Sequence, residues 1–280
     1  MSLCATPPPF AGCWNGETFE MAGAVPLTDR GFRYGMAFFE SLAIRNDRVE
    51  FLEAHLRRLR NAARQHGWTL EETALEAAAD FLLRHGGPGP TFARLYLTAG
   101  DGAPGSGVNA PRLFAFGEAR SNTRPARPYH LKRSAHPYLP LPGHWKRANY
   151  WANIAAWEEA KAAGADEALL FNPQGEAVSA AMANLFVVIG GQLLTPRLGS
   201  GARDGVIREW IVEHRRASGQ PVVERALTPA DLARATEAFL TSSWNGIVPV
   251  ATLQPGPGSE TVTMTGSSIA STLLPLLPLG

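Results

Sequence analysis

The stretch RSNTRPARPYHLKRSAHPYLPLPGH, residues 120–144, constrains this chain more than any other. Proline lacks an amide hydrogen and pushes the residue before it out of helical geometry, so a proline-rich segment interrupts regular structure. On either side lie segments of both helical and strand period. The chain therefore reads as two mixed α and β lobes: a small N-terminal α/β lobe over 1–119, a connection over 120–144, and a larger C-terminal lobe over 145–280. A length of 280 residues gives material for two such cores.

Within the first lobe, residues 21–52 read as short strands with turns, RNDR at 45–48 being a hairpin signal. Residues 53–67 form an amphipathic helix with Leu56, Leu59 and Ala63 on one face and Gly67 at its stop. A second helix covers 70–87, and 91–100 and 112–119 alternate as strands. In the second lobe, 149–164 is a helix closed by Gly164, followed by the strand EALLF, the turn NPQG, and a hairpin over 184–196 on Gly190-Gly191. Helices at 205–217 and 229–236 alternate with strands at 221–226 and 238–243. Thr228 is a suitable N-cap, with Pro229 at the first helical position. The apolar STLLPLLPLG at the end reads as a packed tail.

Composition removes several classes of function. A formal net charge of +1 gives no reason to expect nucleic acid or an anionic membrane as partner. No apolar run approaches the ~18 residues of a membrane-crossing helix. The start lacks the basic-then-apolar pattern of a secretion signal. Two cysteines, Cys4 and Cys13, share neither metal-ligand spacing nor a disulfide framework, which favours the cytoplasm. The seven histidines are scattered without an HExxH pattern, so no metal site is expected.

Of 26 basic residues only Lys132, Lys146 and Lys161 are lysines. Lys146 lies in HWKRANYWAN, among Trp145, Tyr150 and Trp151. A deprotonated lysine amine attacks carbonyls and forms an imine with an aldehyde cofactor, whereas arginine stays protonated. Burial among aromatic rings disfavours the charged form. The local sequence leaves open the plainer role of a solvated lysine opening a helix. In GARDGVIREW, Gly205 precedes a helix whose first amides, on Val206 and Ile207, suit a phosphate. Ser242 and Ser243 end the strand in FLTSSWNG and could add hydroxyl donors. Arg58 lies beside Arg57 and Arg60. Taken singly, each of these also fits an ordinary turn or a solvated side chain.

In order and spacing, the pieces resemble the class IV aminotransferases, the pyridoxal-phosphate fold shared by branched-chain aminotransferases, D-amino-acid aminotransferases and 4-amino-4-deoxychorismate lyase. The likeness runs through LTDRGFRYGMAFFES (27–41), HLRRLRNAA (55–63), KRANY, GADEALLF, ANLFVV, LLTP, DGVIR (204–208) and FLTSSWNGIVPV, over residues 20–255. It implies an α+β, two-lobed class IV aminotransferase fold (fold type IV) with the cofactor cleft between a small N-terminal and a larger C-terminal lobe. It also implies a homodimer and small-molecule amino acid and 2-oxo acid substrates. Lys146 falls on the Schiff-base lysine, which also moves a proton between substrate and cofactor. Arg58, Gly205, Val206, Ile207, Ser242 and Ser243 fall on the phosphate set, and Tyr150 on a tyrosine that touches the ring hydroxyl. Tyr34, Arg94 and Asn149 fall on the substrate side.

Three departures bear on activity. The family's carboxylate for the pyridine nitrogen stands five residues before the asparagine of its NxF strand. Here that position, five before Asn184, is Ser179, which can bond the nitrogen but cannot hold it protonated. The arginine of the D-amino-acid branch is Ala99. Met36 replaces a common aspartate, while Glu40 favours amino transfer over the lyase. The resemblance thus implies a transaminase working by a two-stage ping-pong route. The aminodeoxychorismate lyase of the same fold is an alternative, supported by the Lys-x-x-Asn spacing. A further one is a catalytically degenerate binding protein, motivated by Ser179.

Overall fold

The computed structural model describes residues 10–21, 24–86, 89–120, 124–140, 143–256 and 259–278. Cys4 lies outside them. The chain forms two compact units. One holds the described residues of 1–123 with Lys146–Asn149 and Pro278, and the other those of 124–145 and 150–277.

The first unit contains β1 (Phe10–Trp14), β2 (Phe19–Met21), α1 (Arg30–Tyr34), β3 (Ala37–Arg45), β4 (Arg48–Val49), α2 (Leu52–Gln65), α3 (Glu72–His85), β5 (Thr91–Thr98) and β6 (Arg112–Ala119). Its strands form one antiparallel sheet in the order β2-β1-β6-β5-β3-β4. β3 and β5 pair from Ala37 with Thr98 to Ile44 with Thr91. The RNDR hairpin forms as expected, with Asn46 and Asp47 at φ 49° and 57°, the left-handed pair that a tight two-residue turn needs. α2 buries Leu56, Leu59, Ala62 and Ala63 against β3, and Gly67 at φ 68° ends it. α3 packs on β1, β2 and β6, with Ala78, Phe81 and Leu82 inward.

α1 differs from the reading of 21–52 as strands and turns. Asp29 caps it by accepting from the Gly31 amide at 2.7 Å, and Gly35 at φ 67° closes it. A five-residue helix is too short to show a period. Arg30 is buried, its guanidinium donating to the carbonyls of Ala99, Gly100 and Ser106. Lys146–Asn149 joins this unit through backbone bonds, Phe39 N to Lys146 O at 2.8 Å and Ala148 N to Ala37 O at 2.9 Å.

The second unit contains β7 (Tyr129–Arg133), α4 (Trp151–Ala162), β8 (Glu167–Phe171), β9 (Ala177–Ala180), β10 (Asn184–Ile189), β11 (Gln192–Pro196), α5 (Val206–Ala217), β12 (Val223–Arg225), α6 (Pro229–Leu232), β13 (Glu237–Ser242), β14 (Gly246–Gln254), β15 (Val262–Thr263) and α7 (Ser268–Leu273). The sheet order is β12-β11-β10-β13-β14-β7-β8-β9, with β15 on β14. β7 comes from the proline-rich stretch and lies between β14 and β8, parallel to both. The prolines interrupt structure as expected, but Pro128 and Pro137 flank the strand and leave Tyr129–Arg133 free of them. α4 is the crossover that parallel β7 and β8 require. Gly190 and Gly191, at φ 56° and 78°, turn the β10–β11 hairpin.

The sheet is buried on both faces. Leu131, Phe171, Leu185, Val187, Leu240 and Leu253 fill one side, and Ala156, Ala160, Ala168, Leu170 and Val178 another. That is why strands such as NLFVVI are continuously apolar and do not alternate. α6 stops at Leu232, shorter than 229–236, although its Thr228/Asp231 capping box is complete. The tail packs through α7, Leu273 and Leu277, with buried Glu237 accepting from the amides of Ile269 and Ala270. Among the described residues no helix is long and apolar enough to cross a membrane.

Candidate active site

The first unit brings Lys146, Arg58 and Arg94 onto β3. Lys146 Nζ lies 4.0 Å from the centroid of buried Phe39, a cation–π contact. The Arg94 guanidinium lies 5.1 Å from the same ring and donates to the Tyr96 hydroxyl at 3.2 Å. Phe39 stacks on Tyr96, and Tyr96 on Phe116, so the two cations stand on a half-exposed aromatic face of the sheet. Asn149 is exposed and rests against Gly35, the residue after half-exposed Tyr34.

Arg58 is set by Glu40. Its Nε donates to Glu40 Oε1 at 2.8 Å and its Nη2 to Oε2 at 2.5 Å, while His55 Nδ1 bonds Oε2 at 2.7 Å. Burial alone raises a carboxyl, yet the Arg58 charge and the His55 and Arg58 hydrogen bonds outweigh it and hold Glu40 at about 2. His55 is fully buried; burial lowers it first, Arg58 and Lys146 add to that, and Glu40 opposes. Facing a carboxylate, Nδ1 carries a proton, and the buried Nε2 has no partner among the described residues. Sequence reading singled out Arg58 and Glu40 but not His55. The H-x-x-R spacing on one helical face was the available signal.

The second unit gathers Gly205, Val206, Ile207 and Tyr150. The first intrahelical bond of α5 is Glu209 N to Gly205 O, and no side chain caps the helix. The amides of Val206 and Ile207 precede that bond and are left for an outside acceptor. A Cβ at Gly205 would come 2.0 Å from Asn184 Oδ1, so any larger residue there must displace that side chain. Asn184 Nδ2 donates to the Arg203 carbonyl at 2.8 Å and so fixes the turn into α5. Its strand neighbour Thr241 has a buried Oγ1 without a partner among the described residues. At the end of β13, Ser242 Oγ accepts from the Asn245 amide at 3.3 Å, and Ser243 is half-buried in the turn.

Tyr150 begins α4, its hydroxyl donating to the Ala181 carbonyl at 3.1 Å and accepting from Arg203 Nη1. Ser179 is buried on β9 opposite Leu170, and its hydroxyl bonds no other described residue. Burial raises Glu167 to about 7, against the backbone amides of Ala168, Met182 and Ala181 that pull it down. Asn184 and Arg203 are the residues of this region that sequence reading did not assign; both act through contacts distant along the chain. Among the described residues no group of three or more His, Cys, Asp or Glu could hold a metal.

The profile of the family described as Amino-transferase class IV matches residues 37–253, and the chain belongs to that family. The branched-chain-amino-acid aminotransferase of Salmonella typhimurium is 26% identical over 259 residues, covering 85% of this chain and 82% of that one. The 4-amino-4-deoxychorismate lyase from Pseudomonas aeruginosa superposes with TM-score 0.79 at 30% identity, covering 91% and 95%. A branched-chain aminotransferase structure from Thermoproteus uzoniensis has TM-score 0.82 at 21% identity, covering 95% and 93%, a likeness of fold.

Proposed function

We propose that this chain is a transaminase that moves an amino group between an amino acid and a 2-oxo acid, with pyridoxal phosphate carried on Lys146. The observation that supports it most is the Lys146 amine, anchored by backbone bonds to β3 and resting on Phe39 beside Arg94. The donors fit the group. A dianionic phosphate needs several N–H and O–H donors, and Arg58, the Val206 and Ile207 amides, Ser242 and Ser243 can supply them. A Cβ at Gly205 would run into Asn184, which fixes the turn that leads to those amides.

When bound, pyridoxal phosphate supplies an aldehyde for amine capture and a ring that accepts the electron pair left by a broken bond at the substrate carbon. Lys146 Nζ takes up the proton released there and returns it. Arg58, oriented by Glu40, would hold the phosphate. Tyr150 would serve the ring oxygen, and Ser179 would offer a hydroxyl to the ring nitrogen. Arg94, Tyr34 and Asn149 are assigned to the substrate side. The enzyme works in the cytoplasm as a homodimer.

The likeness to the Pseudomonas lyase over most of both chains, with Asn149 three residues after Lys146, supports aminodeoxychorismate lyase as a second reading. One experiment addresses both. The protein is incubated with pyridoxal phosphate, reduced with borohydride and mapped by peptide mass, with Lys146→Ala in parallel. The expected label falls on Lys146 and is absent from the variant; a label elsewhere, or none, ends the reading. Donor and acceptor panels, with 4-amino-4-deoxychorismate as a separate substrate, then separate a new amino acid from p-aminobenzoate plus pyruvate. Label on Lys146 with neither product leaves the degenerate binding protein.

A further inference from the structure

The second unit holds a charge that the roles above leave without use. Arg203, two residues before Gly205, sends its guanidinium to Tyr150: Nη1 donates to the phenolic oxygen, Nη2 to the Ala181 carbonyl at 3.2 Å, and Cζ lies 4.9 Å from the ring centroid. The same carbonyl accepts from the Tyr150 hydroxyl at 3.1 Å and from Asn153 Nδ2 at 2.8 Å. Three donors thus converge on an oxygen with two lone pairs. Among the described residues Arg203 forms no salt bridge, although its charge acts on buried Glu167 from a distance. A half-buried guanidinium held on neutral oxygens, in a cluster with surplus donors, is a receptor for an anionic oxygen.

Its place in the fold narrows which anion. The Arg203 carbonyl accepts from the Gly205 amide at 3.0 Å and from Asn184, so the side chain springs from the turn that presents the Val206 and Ile207 amides. At its other end it reaches Ala181, two residues beyond Ser179. An aromatic ligand with its phosphate on those amides would carry its ring a methylene and an ester oxygen beyond the phosphate. An arriving anion needs little rearrangement. Tyr150 turns its hydroxyl proton from Ala181 to the newcomer, and Ala181 keeps Asn153 and Arg203, two donors for two lone pairs.

We propose that Arg203 is a cofactor-binding residue of this chain, holding the phenolic oxygen of pyridoxal phosphate as its anion with Tyr150 as the second arm. The inference rests on the cofactor reading above. It implies that the ring is gripped here by a cation beside its oxygen, while Ser179 brings no carboxylate to the nitrogen.

The test uses the full chain and two probes, pyridoxal 5′-phosphate and its 3-O-methyl ether, which cannot present an anionic oxygen. Dissociation constants are measured by equilibrium dialysis for wild type, Arg203→Met and Arg203→Lys, with folding checked by circular dichroism. Arg203→Met is expected to weaken the parent about tenfold to a hundredfold, the worth of one charged hydrogen bond, and to leave the ether unchanged. Arg203→Lys, which keeps the charge but not the fork, should show a smaller loss confined to the parent. Equal loss for both probes, or none for either, overturns the assignment. If Arg203→Met does not fold, the lysine variant decides by the same comparison. A wild type that takes up neither probe overturns the cofactor reading itself, a result distinct from binding without discrimination.

Discussion

At the scale of single residues, Glu40 is the side chain on which the first unit's chemistry leans. It is buried between Arg58 and His55, and removing it strands a guanidinium in the interior. Its carboxyl stands at about 2 against an ordinary value of 4.5. A lowered folded-state value means stability that is present above pH 4.5 and lost as pH falls from there toward 2. Glu40→Gln should therefore cost about 3 kcal/mol at pH 7. Urea unfolding of both proteins checks this, and the gap between them should close as pH falls through that window. A gap that stays constant with pH means Glu40 is not held ionised. Arg58 and Lys146 were legible in the sequence because their chemistry is rare or their spacing repeats a known pattern. His55 and Arg203 were not. The first needs α2 and β3 packed together, and the second needs Tyr150, 53 residues away along the chain, brought to its side.

Among the elements, the entry to α5 combines the strongest local constraint with the clearest functional reading. Gly205 has an ordinary extended backbone, φ −78° and ψ 140°, so it is chosen for space and not for conformation. A methyl group there meets Asn184 Oδ1, and Asn184 fixes the turn through the Arg203 carbonyl. Gly205→Ala should push Asn184 aside, tilt the first amides of α5, and weaken pyridoxal phosphate at least about tenfold. Titration of cofactor absorbance reads the affinity, and thermal melts read the fold. Wild-type affinity in the alanine variant removes the helix entrance from the phosphate site. The sequence showed this glycine before a helix, but many glycines stand there; only the packed Asn184 shows what a larger residue must displace. α1 teaches the converse. Asp29 and Arg30 belong to a family-like stretch, yet Asp29 caps a five-residue helix and accepts from Thr98, while Arg30 ties down the 99–107 loop. Their work is architectural.

For the molecule as a whole, strand and helix periods resume in the sequence on both sides of the proline-rich stretch. What was hidden is that this stretch supplies β7, since a strand inserted between β14 and β8 is defined by partners far away in sequence. Assembly is the property least visible in one chain, and the surface gives it a handle. In the first unit Leu27 is 76% exposed and Phe32 64%, with Tyr34 also outward, an apolar grouping at α1 that a monomer gains nothing by showing to water. If the chain is a homodimer with two-fold symmetry and this face is in the contact, each substitution enters the interface twice. Sedimentation equilibrium should then give twice the chain mass for the wild type. Phe32→Asp should weaken association about a hundredfold or more, because two buried rings are replaced by two facing charges. A wild type that sediments as a single chain ends the dimer reading. A dimer untouched by Phe32→Asp places the contact on another face.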